Sequence, residues 1–556
     1  MSQFKKHSRS PFLSSIQKTF KLFLQSQQPG EPPIDELIEQ SVRKEQGIPR
    51  RSFINTAAKA GLVIGLGGIA EACRKANGGE LGSFRNMPGL NGSSKTQPSI
   101  AILGAGIAGL NCAWQLKKLG INTTIYEGSN STGGRILSKT GFIGPGLYTE
   151  LGGEFIDTGH TTMRGLADEF GLTLADTLVK SEAAFVRDSF YVNGSFRTEE
   201  EVMHAFAPYA KQIATDVQSL PGNFDFSNYT DAVLKFDQMS IKAYFDSLGM
   251  PSSSFLRQGL EGAYNTEFGL EVEEQTAINF LFLFSINSGN NKYKIFGESD
   301  ERFKVMGGNQ QIPNALYNQL SSQVQLGYVL DKLSKNNSNK YVIHFANGQE
   351  VLADMVVMTL PFSVLRSIDL SGLALPAWKT NAIQNLGYGT NAKILLGFNS
   401  KVWRQYKHSG YIFTNGTPAN PAQFIQTGWD NSWLQPGTNG GFTVYGGGHQ
   451  GLAMNLGQVD TYVSQLETMW PGCQAAYNGN AKLIHWPSNP FTLASYSCWK
   501  VGQITTISGA EKLAVDNLFF AGEHTSTWNQ GFMEGGAETG AEVARTISKM
   551  VLANKK

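Results

Sequence analysis

Gly104-Ala105-Gly106-Ile107-Ala108-Gly109 is a GxGxxG set between an apolar run, Ile100–Leu103, and a helix-like stretch, Leu110–Leu119. The first glycine permits a tight turn, the second lets a pyrophosphate approach the backbone, and the third lets helix and strand pack closely. A helix starting at such a turn presents free amides and partial positive charge to phosphate. Glu127 closes a second apolar run, Thr123–Tyr126, at the spacing where a carboxylate accepts from a ribose hydroxyl. An acid there favours an unphosphorylated ribose, so FAD or NAD is expected over NADP.

The next segments separate FAD from NAD. Gly133-Gly134-Arg135 follows, with a guanidinium fork suited to pyrophosphate or a flavin edge. Tyr148 to Asp157 reads YTELGGEFID, and Gly152, Gly153 and Glu154 in it suit close backbone contact with an isoalloxazine. Near the C-terminus, the strand-like Leu518–Ala521 leads into Gly522-Glu523-His524-Thr525, where Glu523 is placed to accept from a ribityl hydroxyl. Gly531-Phe532-Met533-Glu534-Gly535-Gly536-Ala537 then opens a helix running to about Met550, whose amides could face the locus where flavin gains negative charge on reduction.

From about residue 98 to 550 these motifs, in this order, resemble the flavin-containing amine oxidase family, which includes monoamine, polyamine and L-amino-acid oxidases. The ending FAGEHT…GFMEGGAETG is more particular to that family than the GxGxxG module, which carotenoid desaturases share. The resemblance implies oxidation of an amine C–N bond to an imine, then aldehyde or keto acid plus ammonia, with dioxygen reduced to peroxide. L-Amino-acid oxidation is the alternative, and an FAD dehydrogenase or desaturase acting on a C–C bond is a further one. The resemblance places Val329 at the adenine and makes Lys393 the lysine that holds a water against the flavin, helping dioxygen take electrons.

Departures from the family pattern define further expectations. Ala494 stands where some members tether flavin through cysteine, and Cys498 lies four residues later, so FAD is expected to be noncovalent. The paired tyrosines of the monoamine oxidases are not reproduced in the motifs, where Phe532 and Ser495 take their places. Phe532, Trp499 and Trp528 are the candidate substrate walls, and Tyr496 could also compensate for the missing tyrosines, although core or rim is an equal reading for Trp499, Tyr496 and Trp528. Arg164 is the one arginine after Gly153 that could clamp a carboxylate, although a solvated helix face is the simpler reading.

Positioning these groups takes an α/β architecture. It is expected to be a discontinuous, Rossmann-like FAD-binding domain of the amine oxidase type (98–165, 298–378 and 490–550) with an interleaved α+β substrate domain (166–297 and 379–489). The stretch from Met163 to Gly297 reads as mostly helical, and Thr198 with Glu201 forms a capping box opening a helix to about Leu220. Asn193-Gly194 and Asn347-Gly348 mark hairpins.

Residues 1–97 are expected to lie outside the enzyme proper. They comprise a polar arm with Phe12, Ile16, Phe20 and Phe23 in a marginal helix, then Arg50-Arg51 before a weakly apolar run, Ala60–Ala70, then a Gly/Ser/Asn-rich linker. The pair resembles a twin-arginine export signal with a cleavage site after Ala72, which would make the protein periplasmic or exported and the twin-arginine machinery a partner; the alternative is an incidental pair before a short helix in a cytoplasmic protein. Against 46 basic residues stand 45 acidic ones, which excludes a nucleic-acid surface of the usual basic kind. The four cysteines lack metal spacing, no metal is expected, and Cys473 and Cys498 are read as separate thiols. Small amines or amino acids and dioxygen are the expected partners.

Overall fold

The computed structural model describes residues 11–45, 97–284, 299–414 and 425–553. Arg50-Arg51, the Ala60–Ala70 run, Cys73 and nearly all of the linker lie outside the described residues. Among the described residues, no helix is long and apolar enough to cross a membrane.

Ile100–Leu103 (β1) is buried at every position, as a central parallel strand must be when helices cover both faces. It pairs in parallel with Thr124–Glu127 (β2) on one side and Met355–Met358 on the other. Val324–Leu326 and Leu518–Phe520 complete a five-stranded parallel sheet. Three strands from the middle and end of the chain thus join a βαβ unit near its start. Ile107–Lys118 (α3) is the crossover helix, and the C-terminal helix Met533–Ala553 lies directly on it. Two glycines of the ending permit that approach: a Cβ on Gly540 would sit 2.2 Å from the Ala108 carbonyl oxygen, and one on Gly536 2.8 Å from Ile107. Glycine is required there for packing.

A seven-stranded sheet forms the second layer, in the order Tyr477–His485, Ala392–Phe398, Gly440–Gly446, Thr427–Asp430, His408–Thr414, Val186–Val192, Ser195–Arg197. Asn193-Gly194 turns the last hairpin with φ of 54° and 75°, the left-handed pair a type I′ turn needs. The capping box at Thr198 and Glu201 is formed, with both reciprocal bonds present. Its helix is shorter than expected. It ends at Phe206, passes through a tight turn at Ala207–Tyr209 and resumes at Ala210, because Pro208 has no amide to continue the ladder.

The main correction concerns the N-terminal arm. Pro11–Ser26 (α1) and Ile34–Glu45 (α2) pack on the helices of the 166–297 segment, so this arm is part of the fold. Phe12, Leu13, Ile16 and Phe20 are at most 2% exposed and join the largest hydrophobic core. Phe12 lies 5.3 Å from the Phe413 ring and 5.8 Å from Phe190, and Gln17 donates to the Leu283 carbonyl at 2.7 Å. The apolar spacing that suggested a marginal helix is a helix stabilised by tertiary burial.

Candidate active site

One cavity of about 970 Å³ runs between the two sheets, at the upper end of ligand-pocket sizes. Its wall carries Glu127, Val329, Gly104, Gly106, Gly133, Gly134 and Arg135. The same wall carries Gly152, Gly153, Glu154, Gly522, Glu523, Phe532, Met533 and Lys393. Segments up to about 400 residues apart in sequence therefore face one space.

The glycine turn fits a dinucleotide. Gly104 leaves β1 at φ 109°, and a Cβ on Gly106 would meet nothing within 4 Å, so its backbone is open to the cavity. Gly109 does not line the cavity, since a Cβ there would lie 2.0 Å from the Gly104 carbonyl oxygen. Ala108 lines the wall beside it. The Glu127 carboxylate accepts from the amides of Ala105 (2.7 Å) and Ser129 (2.9 Å), which fixes it against the turn with lone pairs left for a hydroxyl. Gly152 admits no Cβ because the Arg135 carbonyl oxygen would be 1.8 Å away.

Arg135 and Glu523 are locked together. The guanidinium donates to Glu523 at 3.1 Å and to the Ser495 carbonyl at 2.6 Å. Glu523 also accepts from the Ser497 hydroxyl (2.7 Å) and the Gly531 amide (2.9 Å). Burial would push this carboxyl up, but Arg135 and these donors outweigh it and hold it below the usual range. His524 itself is off the cavity wall and buried, pushed down to about 4 by desolvation, so it is a neutral packing group against Phe362. Glu534 accepts from the amides of Thr162 and Met163, both at 2.7 Å, clamping the start of the C-terminal helix to that of Thr161–Glu169 (α3's neighbour, α4).

Lys393 is 4% exposed on the wholly buried strand Ala392–Phe398, so it does not snorkel to the surface. It donates to the carbonyls of Gly152 (2.9 Å) and Glu150 (3.3 Å), and lies 3.5 Å from Glu154. Burial lowers its affinity for a proton below the ordinary lysine value of 10.5, with Glu154 and Glu150 acting against that. Its ammonium is 5.6 Å from the Trp429 ring. The Trp429 indole N–H, also on the wall, has no acceptor among the described residues.

Several expected residues lie elsewhere. Trp499 and Trp528 do not line this cavity; both belong to a separate one of about 210 Å³ with Glu511 and Gln530. Trp499 is core and Trp528 an exposed rim. Arg164 donates to the Thr158 carbonyl at 2.7 Å and covers the Phe303 ring, so it clamps nothing in the cavity. Phe532 does face the cavity, its ring 5.0 Å from His160.

Of these candidates Tyr496 does line the cavity, whereas sequence reasoning missed Trp429, Tyr411 and Tyr445 on the same wall and Lys304, which pairs with Glu154. Tyr445 is the cross-strand partner of Lys393, and its hydroxyl is 3.1 Å from that of Tyr496. The cavity thus has a tyrosine pair, though neither member comes from the motif positions. A lysine in the apolar Phe303–Val305 strand was the available signal for Lys304, because a buried acid such as Glu154 requires a counter-charge.

A family model for flavin containing amine oxidoreductases matches residues 107–548. The chain belongs to this family. Among relatives, polyamine oxidase 4 of Oryza sativa subsp. japonica is 23% identical over 84% of this chain and 92% of its own length. An L-amino-acid oxidase of Gloydius blomhoffii is 22% identical over 83% and 91%. The fold matches that of cyclohexylamine oxidase from Brevibacterium oxydans IH-35A with a TM-score of 0.70, at 16% identity over 83% of this chain and 100% of the other. As a flavin amine oxidase, the protein has Gly104, Gly106, Glu127, Arg135 and Glu523 on the wall of one cavity, where they would hold FAD.

The cysteines bear on how FAD is held. Cys112, Cys473 and Cys498 are free and buried. Cys498 is off the cavity wall, and burial pushes its thiol up, away from the reactive thiolate. Acid precipitation of the holoenzyme is therefore expected to release FAD into the supernatant. Flavin recovered on a tryptic peptide would contradict this.

Proposed function

We propose that the protein oxidises the C–N bond of a small primary amine with an apolar or aromatic tail, using noncovalent FAD and dioxygen and yielding an imine and peroxide. The observation that carries this reading is the single cavity joining the dinucleotide residues to buried Lys393. Bound FAD supplies the two-electron chemistry. The chain's own residues bind it, exclude water and hold an ammonium at the inner wall.

The choice of an amine over an amino acid rests on charge. Among the described residues, the cationic side chains on the wall are Arg135, Lys393 and Lys482, the first held by Glu523 and the second beside Glu154. Asp157, Glu267 and Glu301 add further acids to the same wall. A substrate carboxylate entering there meets like charge and loses its water without an arginine fork, at a cost of several kcal/mol. An amine enters neutral, against Phe155, Tyr411, Trp429, Tyr445 and Tyr496.

Tyramine against tyrosine and phenethylamine against phenylalanine differ only in the carboxylate. The expected result is a kcat/KM at least tenfold higher for the amine in both pairs, with peroxide formed in each turnover, tenfold being about 1.4 kcal/mol. Preference for the amino acid in both pairs would overturn the substrate assignment, and turnover without peroxide would overturn the use of dioxygen.

A further inference from the structure

Four ionisable side chains converge where Glu154 and Lys393 form part of the cavity wall. Glu150 ends Tyr148–Glu150 (β4, which pairs with β3, Ser138–Thr140), Glu154 follows the glycine pair, Lys304 sits on Phe303–Val305, and Lys393 on Ala392–Phe398. Their exposures are 0%, 7%, 2% and 4%, so all four are withdrawn from bulk solvent. Such a cluster is costly unless charges and hydrogen bonds are matched.

The matching is uneven. Lys304 donates to one oxygen of Glu154 at 2.8 Å and to the Asn431 carbonyl at 3.4 Å. The other oxygen of Glu154 has no hydrogen bond among the described residues and faces Lys393 at 3.5 Å. Glu150 is held by the Ser138 hydroxyl (2.6 Å) and the Asn309 amide (2.9 Å). One carboxylate thus serves two ammonium groups, directly bonded to one and offering its free oxygen to the other.

We propose that Glu154, anchored by Lys304, is a positioning residue that keeps Lys393 protonated and aimed into the cavity. This rests on the reading of Lys393 given above. The energetics agree with the geometry. Burial works against the charge on Lys304, yet its close contact with Glu154, and the charge of Glu150, raise it above the ordinary value. Lys393 stays lowered by burial, since Glu154 is farther away and Lys304 repels it. Burial pushes Glu150 up to about 7, so the net charge of the cluster is sensitive to pH. The other ionisable groups facing this region are Tyr148 beside Glu150 and Lys304, Tyr445 across the strand from Lys393, and Lys482 and His485 on the strand that places Ile484 opposite Lys393.

Two substitutions separate this role from a merely structural one, because they act in opposite directions. Glu154→Gln removes the attraction and Lys304→Met removes the repulsion, leaving Glu154 to Lys393 alone. An opposite charge at this range shifts a titration by about 1–3 units. The readout is the midpoint potential of the bound flavin against pH, in holoenzyme, with the rate of flavin reoxidation measured alongside. Loss of the Lys393 charge gives an inflection below 10.5 in the wild type. That inflection should move down by at least one unit in Glu154→Gln, move up in Lys304→Met, and return towards the wild-type position in Glu154→Asp. Shifts of the same sign, or none, would overturn the proposal. If Glu154→Gln does not load FAD, the upward shift in Lys304→Met and the recovery in Glu154→Asp decide it. Lys393→Met separates the two levels: an inflection that persists there assigns it to another group and removes the premise, whereas one that vanishes there but ignores Glu154 and Lys304 refutes the positioning role alone.

Discussion

Reduced flavin in a Lys393→Met holoenzyme should react with dioxygen at least tenfold more slowly than in the wild type, with FAD content unchanged. Methionine keeps the unbranched apolar stem, so the packing of Ala392–Phe398 between its neighbours survives. What is lost is an ammonium at an inner wall where the local dielectric is low and a fixed charge acts strongly on developing negative charge. A charge-assisted hydrogen bond is worth about 1.5–3 kcal/mol, and tenfold in rate needs only about 1.4. FAD should stay bound because Arg135, Glu127 and Glu523 are held by contacts that do not include Lys393. Glu154 keeps its 2.8 Å bond from Lys304, so no unpaired buried carboxylate is created. Stopped-flow mixing of anaerobically reduced enzyme with oxygenated buffer measures the rate. Reoxidation at the wild-type rate would assign Lys393 to structure.

Deleting residues 1–45 should abolish soluble, FAD-loaded enzyme. Burying a large core side chain is worth several kcal/mol; truncating Phe12 to alanine alone should cost about 3–5. The deletion removes Phe12, Leu13, Ile16 and Phe20 together and exposes the surfaces they covered. The summed loss rivals the about 5–15 kcal/mol by which folded domains are stable. A Cβ on Gly259 would lie 2.4 Å from the Phe12 ring, which shows how closely α1 seats on Phe255–Phe268. That helix carries Thr266 and Glu267 to the cavity wall, so unseating it reaches the site. Co-expressing residues 1–45 as a separate peptide should restore part of the loss. A deleted protein with wild-type melting temperature and flavin content would show that the arm is dispensable. Cleavage after Ala72 would cut this arm from the enzyme, so the chain composition of exported material also tests whether the Arg50-Arg51 segment is processed as a signal.

The dinucleotide half of the site was legible in the sequence because its chemistry is local. Gly104, Gly106 and Gly109 act through turn geometry and close approach within a few residues, and Glu127 lies at the end of the strand next door. Glu523 and Met533 were legible for a related reason, since the strand before them and the helix after them are both strongly patterned. The substrate half was not. Trp429 and Tyr445 are single residues in short apolar strands, with nothing nearby to distinguish a cavity wall from a core. Trp499 and Trp528 show the converse error: large aromatics beside a motif looked like walls, but neither lines the cavity.

By itself the sequence determined the cofactor class, the glycine-built approach to it, and the βαβ unit that holds it, because those depend on spacing along one stretch of chain. Only the tertiary structure decided that the N-terminal arm belongs to the core and which aromatics line the cavity. It also brought Glu150, Glu154, Lys304 and Lys393 together in one buried cluster. Burial and charge pairing are properties of distances between separate segments. A lysine's proton affinity is set by the groups folded against it, and for Lys393 the two carboxylates, Glu150 and Glu154, lie more than 200 residues away in sequence.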